Sequence, residues 1–113
     1  MERVNEKDKD YRFGDSGVKY IFRGPNVDWG IILFKPGQSL GLHYHQRTEE
    51  TFYFLEEGLK VIVDDKEFQA EAGDAFRFSP NEKHNIINET EKNIKVIFIK
   101  YPYLPEDKVD VKQ

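Results

Sequence analysis

The stretch Gly37-Gln38-Ser39-Leu40-Gly41-Leu42-His43-Tyr44-His45-Gln46-Arg47-Thr48-Glu49-Glu50-Thr51-Phe52-Tyr53-Phe54 carries the chemistry of this chain and orders the segments around it. Leu40 to His45 has strand character. Residues two apart on a strand project to the same face, so His43 and His45 can meet one ion. Glu49 and Glu50 follow across a short turn, and Thr51 to Leu55 reads as the returning strand. A carboxylate at its start faces the two histidines across the hairpin. The third and last histidine, His84, opens another strand just after Ser79-Pro80-Asn81. Three imidazoles and a carboxylate suit Fe, Mn, Co, Ni, Cu or Zn, whereas zero cysteine excludes thiolate sites, thiol nucleophiles and disulfides together.

Outward from this stretch the pattern repeats. Nine Ile, eight Val, nine Phe and six Tyr stand against three Ala and six Leu, a balance that favours pleated strands over helices. Short apolar runs predict strands near 18–23, 27–35, 40–45, 51–56, 59–64, 67–70, 75–79, 84–88 and 94–100. Gly24-Pro25-Asn26, Pro36-Gly37, Asp64-Asp65-Lys66, Gly73-Asp74 and Ser79-Pro80-Asn81 supply the turns between them. Evenly spaced short strands in one compact unit suggest an antiparallel sandwich or barrel. At 113 residues the chain makes one domain, hiding roughly two-thirds of its unfolded surface. Residues 17–101 are the expected barrel, with 1–16 and 102–113 as charged or Pro-punctuated surface tails.

Charge and hydropathy narrow the function classes. The net charge is −4, with 21 acidic residues against 17 basic ones and the signs mixed along the chain, which argues against nucleic acid as a partner. The longest apolar run, Trp29 to Phe34, has six residues against the ~18 of a membrane span, so no membrane partner is expected. The first ten residues lack the apolar core of a secretory signal. A cytoplasmic protein is the expectation. Ser79, Asp74 and His84 are the residue types of a hydrolytic triad, but no Gly-x-Ser-x-Gly surrounds the serine.

The histidine constellation resembles the cupin superfamily over about residues 30–100. The family's first motif is G(X)5HXH(X)3–4E(X)6G, and the chain supplies Gly37, His43, His45 and Glu50 at those spacings. The second is G(X)5PXG(X)2H(X)3N, matched by Gly73, His84 and Asn88. Three turn positions depart from the pattern. Glu57 precedes the closing Gly58, Ser79 precedes Pro80, and Asn81 stands at the second motif's glycine. Asn is the best substitute for Gly where φ is positive. The resemblance implies an all-β fold: a single antiparallel β-barrel or double-stranded β-helix, jelly-roll-like, holding one divalent metal through His43, His45, Glu50 and His84. Glu49 also satisfies the spacing, but Glu50 takes the first inward position of its strand.

Strand alternation from Glu50 puts Phe52 and Phe54 on the inner face, and Ile86 and Asn88 follow His84. These four are the candidate pocket lining, with Arg47 on the turn beside the site. Such a pocket is mostly apolar and offers few groups to fix a charged substrate. Resemblance implies a metalloenzyme acting on a small oxygen-rich molecule by dioxygenase-like or decarboxylase-like chemistry, with Mn or Fe preferred and Ni, Co, Cu or Zn compatible. Oxidoreductase or lyase activity is one reading. A non-catalytic binding module or sensor for a sugar or other small molecule is another, and a metal-dependent sugar isomerase a third. A homodimer is expected, with Val18-Lys19-Tyr20-Ile21-Phe22 as the apolar edge.

Overall fold

The computed structural model describes residues 1–112. Ten strands form: β1 (Gly17–Arg23), β2 (Asp28–Phe34), β3 (His43–His45), β4 (Glu49–Phe54), β5 (Leu59–Val63), β6 (Lys66–Gln69), β7 (Ala75–Phe78), β8 (His84–Asn88), β9 (Ile94–Tyr101) and β10 (Lys108–Asp110). Among the described residues the only helical turn is a 3-10 turn at Glu6–Asp8. The strands make two five-stranded sheets, ordered β1-β2-β9-β4-β7 and β10-β3-β8-β5-β6, with antiparallel pairing throughout. Facing each other, they form a double-stranded β-helix.

The core lies between the sheets because alternate residues of each strand are apolar. Phe34, Phe52, Phe54, Leu59, Val61, Ile86, Ile94, Val96 and Phe98 are all buried. β9 gives the clearest pattern. Ile94, Val96 and Phe98 point into the core, while Ile99 and Tyr101 are exposed on the outer face. Gly30 lies opposite Tyr20, next to the irregularity in β1 between Tyr20 and Phe22. A Cβ there would overlap the Lys19 carbonyl, so no larger residue fits.

All nine expected strands are present, with shifted ends. The segment expected at 40–45 narrows to β3 because Gly41 adopts a φ of +84°, a turn conformation. The strand expected at 51–56 starts earlier, since Glu49 pairs with Tyr101, and Glu56 and Glu57 lie beyond its end. Asn81 takes a φ of +72°, the left-handed conformation that the motif's glycine would adopt.

Both terminal segments, exposed or half-buried over nearly their whole length, are tied to the barrel. Near the amino end, Lys19 is 7% exposed; its ammonium donates to the Glu6 carbonyl at 2.9 Å and sits 4.0 Å from the centre of the Tyr11 ring. At the carboxyl end, β10 pairs with β3, setting Lys108 opposite His45 and Asp110 opposite His43. Sequence reading misses β10 because its three residues lack an apolar run and follow a proline-broken stretch. It is held by its partner strand rather than by local propensity.

Just before β10, the Asp107 carboxylate accepts hydrogen bonds from the backbone N–H groups of Gln46 (3.1 Å), Arg47 (2.7 Å) and Thr48 (2.8 Å). Three successive amides thus form a small anion cradle on the loop that joins His45 to Glu50. Partial burial raises the Asp107 carboxyl, but the Arg47, Thr48 and Gln46 donors outweigh it and hold the group below its ordinary 3.8. A lowered folded-state pKa gives stability that is present above the unfolded value and lost as pH falls through the folded one. Asp107→Ala is therefore expected to cost about 1 kcal/mol at neutral pH after allowance for solvent screening. In chemical denaturation across a pH series, the gap to wild type should close on acidification below the ordinary Asp range.

Candidate metal centre

Four side chains from three strands meet inside one end of the barrel. β3 contributes His43 and His45 on its inner face, with Tyr44 between them turned the other way. β4 contributes Glu50 at its first inward position, and β8 contributes His84, which pairs with His43 across the strands. All four are buried, His84 to 1% exposure and Glu50 to 5%. Glu49 lies outside the cluster, paired with Tyr101 at the sheet's end.

The donor atoms converge tightly. Glu50 Oε1 lies 3.1 Å from His45 Nε2, 3.1 Å from His84 Nε2 and 3.7 Å from His43 Nε2. One ligand atom from each residue falls within 4.8 Å of every other. Donors at right angles around an ion with bonds of about 2.1 Å stand about 3.0 Å apart, so the spacing suits shared coordination.

The outer nitrogens fix how the rings present themselves. His43 Nδ1 lies 2.9 Å from the Gly41 carbonyl and His84 Nδ1 lies 2.9 Å from the Glu82 carbonyl. A carbonyl only accepts, so each Nδ1 carries the hydrogen and donates it. In the neutral ring this leaves Nε2 as a bare lone pair aimed at the carboxylate. Lone pairs facing a buried anion repel unless a cation lies between them. The donor set therefore fits a divalent transition ion.

Packing holds the rings in place. His84 stacks on Phe78 with centroids 4.2 Å apart and planes 4° from parallel, and Phe52 meets it edge-on at 6.2 Å. Burial pushes His43 below its ordinary value, partly offset by Glu50. A metal takes its imidazole ligands in the neutral form, the form that burial favours at His43.

Beside the cluster lies a cavity of about 200 Å³. His43, His45 and Glu50 reach it, and Ile32, Phe34, Leu40 and Phe98 form its apolar wall. The expected lining was different. Phe52, Phe54 and Ile86 are inward as expected but lie within the packed core at 0–1% exposure. Asn88 is also fully buried: its amide donates to the Phe34 and Lys92 carbonyls, and its oxygen accepts from Thr90. It ties strand ends together and does not face the cavity. The Arg47 N–H is held by Asp107 on the loop, and its side chain is not part of the lining. Alternation gives the face of the sheet but not the position across it. The space over β4 is filled at Phe52 and Phe54, whereas the cavity runs from Glu50 along β1, β2 and β9.

The contributors to this cavity that the sequence did not point to include, besides that apolar wall, Tyr20, Lys100, Lys108 and Arg12. Lys100 had a visible signal. It shares the inward parity of Ile94, Val96 and Phe98, where a lysine is out of place unless it serves the interior.

Comparison with known proteins agrees with this geometry. A sequence profile of the family described as "Cupin domain" matches residues 30–100. Protein MJ1618 of Methanocaldococcus jannaschii is 28% identical over 109 residues, covering 90% of this chain and 87% of that protein. KdgF from Halomonas sp. shares the fold with a TM-score of 0.80 at 18% identity, covering 94% of this chain and 97% of that one. A recombinant oxalate oxidase in complex with glycolate matches with a TM-score of 0.64 at 19% identity, covering 75% of this chain and 46% of that one. With its fold, its motif residues and most of the strand framework accounted for, the chain belongs to the cupin family.

Proposed function

We propose that the protein is a metalloenzyme that holds one divalent transition ion, Mn or Fe, at His43, His45, Glu50 and His84 and acts on a small oxygen-rich molecule in the adjoining cavity. The observation that carries this reading is the convergence of three imidazole nitrogens on Glu50, two of them with their Nδ1 hydrogens committed to backbone carbonyls. Oxalate oxidase, a neighbour in fold, has been solved with glycolate, a small oxygen-rich acid; this supports the same class of ligand here.

When bound, such an ion supplies Lewis acidity and, for Mn or Fe, access to one-electron chemistry of the dioxygenase or decarboxylase kind. The chain's own residues do the rest. His43, His45, Glu50 and His84 would hold the ion, and because the first three border the cavity a substrate there would lie beside it. Ile32, Phe34 and Phe98 exclude bulk water from the opposite wall. Apolar cavities of about 150 Å³ accommodate benzene, so the space here suits a compact substrate.

Elemental analysis of gently purified protein should find about one Mn or Fe per chain and next to none in the His43→Ala/His84→Ala double variant. Metal at about a hundred times its dissociation constant should stabilise the fold by about 2.7 kcal/mol and raise the melting temperature by about 10 °C. The double variant should show no such rise. Oxygen uptake or CO₂ release by the loaded protein with a panel of small hydroxy and keto acids tests catalysis. Saturable binding without turnover of any member would reduce the protein to a binding module.

A further inference from the structure

We propose that the cavity is built for a small carboxylate, with the Lys100 ammonium, directly across from Glu50, as the group that receives the negative charge. The inference rests on the metal reading above and adds the ligand's charge and the residue that recognises it.

Its basis is a row of charged residues across the inner face of the first sheet. Arg23 pairs with Asp28, Asp28 with Lys100, Lys100 with Glu50, and Glu50 with Phe78. Cross-strand neighbours hold their Cβ atoms about 4.5–5.5 Å apart, so Lys100 springs from the wall next to the metal ligand. Burying a lysine there is costly unless its donors are used. Among the described residues its one hydrogen bond goes to the Tyr20 hydroxyl, at 3.2 Å. Asp28 Oδ2 is 3.9 Å away, outside hydrogen-bond range, and that carboxylate already faces Arg23 at 3.4 Å through both oxygens. An ammonium has three donors. Lys100 therefore keeps donor capacity beside the cavity, its ammonium lying 5.2 Å from the centre of the Tyr20 ring and 5.5 Å from that of Phe98.

The rest of the lining has the same bias. Lys108 faces the mouth from the opposing sheet, across from His45, with its own carboxylate partner Asp110 at 3.4 Å. Arg12 adds a third cationic residue, and Glu50 is the only acidic residue in the lining among the described residues. With a dication coordinated, the enclosure is strongly positive. It is also rich in donors, and apart from the Glu50 carboxylate its side-chain oxygen acceptors are those of Gln38, Ser39 and Tyr20. A neutral sugar needs both kinds of group around its hydroxyls. A carboxylate brings acceptors only, and its short stem suits the apolar half of the cavity.

The test uses Mn-loaded protein and three probes: glycolate, its neutral amide glycolamide, and inorganic phosphate. Binding is read by calorimetry and by the change in the Mn(II) electron paramagnetic resonance signal. Wild type should prefer glycolate to glycolamide and to phosphate by about tenfold or more, the scale of one hydrogen bond to a charged group. Lys100→Met should lose that preference while keeping its Mn stoichiometry, and Lys100→Arg should retain it, which a purely structural lysine would not explain. Equal binding of glycolate and glycolamide by wild type, phosphate binding as tight as glycolate, no glycolate binding, or an unchanged preference in Lys100→Met would each overturn the inference while leaving the metal centre intact. Failure of the wild type to take up Mn or any other divalent transition ion would overturn the metal reading and this inference with it.

Discussion

The convergence of three imidazole nitrogens on one buried carboxylate constrains the rest of the molecule. Two of the rings commit their Nδ1 hydrogens to the Gly41 and Glu82 carbonyls, which in the neutral rings leaves their Nε2 atoms free to ligate a cation at the centre. Those carbonyls belong to the turns that lead into β3 and β8. Gly41 at φ +84° and Asn81 at φ +72° shape the same two turns, and the Asn81 N–H donates to the His45 carbonyl at 2.6 Å. Backbone conformation, ring orientation and donor chemistry are therefore one connected set.

The two terminal segments complete that set. Asp107 gathers three amides of the loop between His45 and Glu50, and β10 then runs beside β3. Thr48, buried in the same loop, reaches the Pro102 carbonyl at 3.3 Å. From the other end, Arg12 and Phe13 enter the cavity lining, as do Pro105 and Lys108 from the carboxyl side. Both ends of the chain help enclose the site that the central strands create.

Much of this was legible in the residues, and the misses have physical causes. His43 and His45 declare their shared face through a spacing of two, and Glu50 its inward position through the parity of β4, because alternation is enforced wherever one face of a strand is buried. Asn81 announced its left-handed turn by chemistry. What alternation does not encode is which part of an inner face is filled. Phe52 and Ile86 point inward as expected, yet they pack against the facing sheet, while the open space lies over β1, β2 and β9. β10 escaped notice because three residues of mixed polarity form a strand only where a partner edge exists to receive them. Lys100 was visible as a lysine on an apolar parity, and its meaning emerges only when Asp28 and Glu50 are seen on either side of it.

X-ray absorption spectroscopy at the edge of the bound ion tests the central claim most directly, using protein loaded with one equivalent of Mn or Fe. The expected first shell contains three imidazole nitrogens and at least one oxygen at about 2.1 Å, with the outer-ring scattering that imidazole produces. Glu50→Gln should change the oxygen contribution. An imidazole-free shell, or protein that fails to bind the ion saturably, would contradict the account.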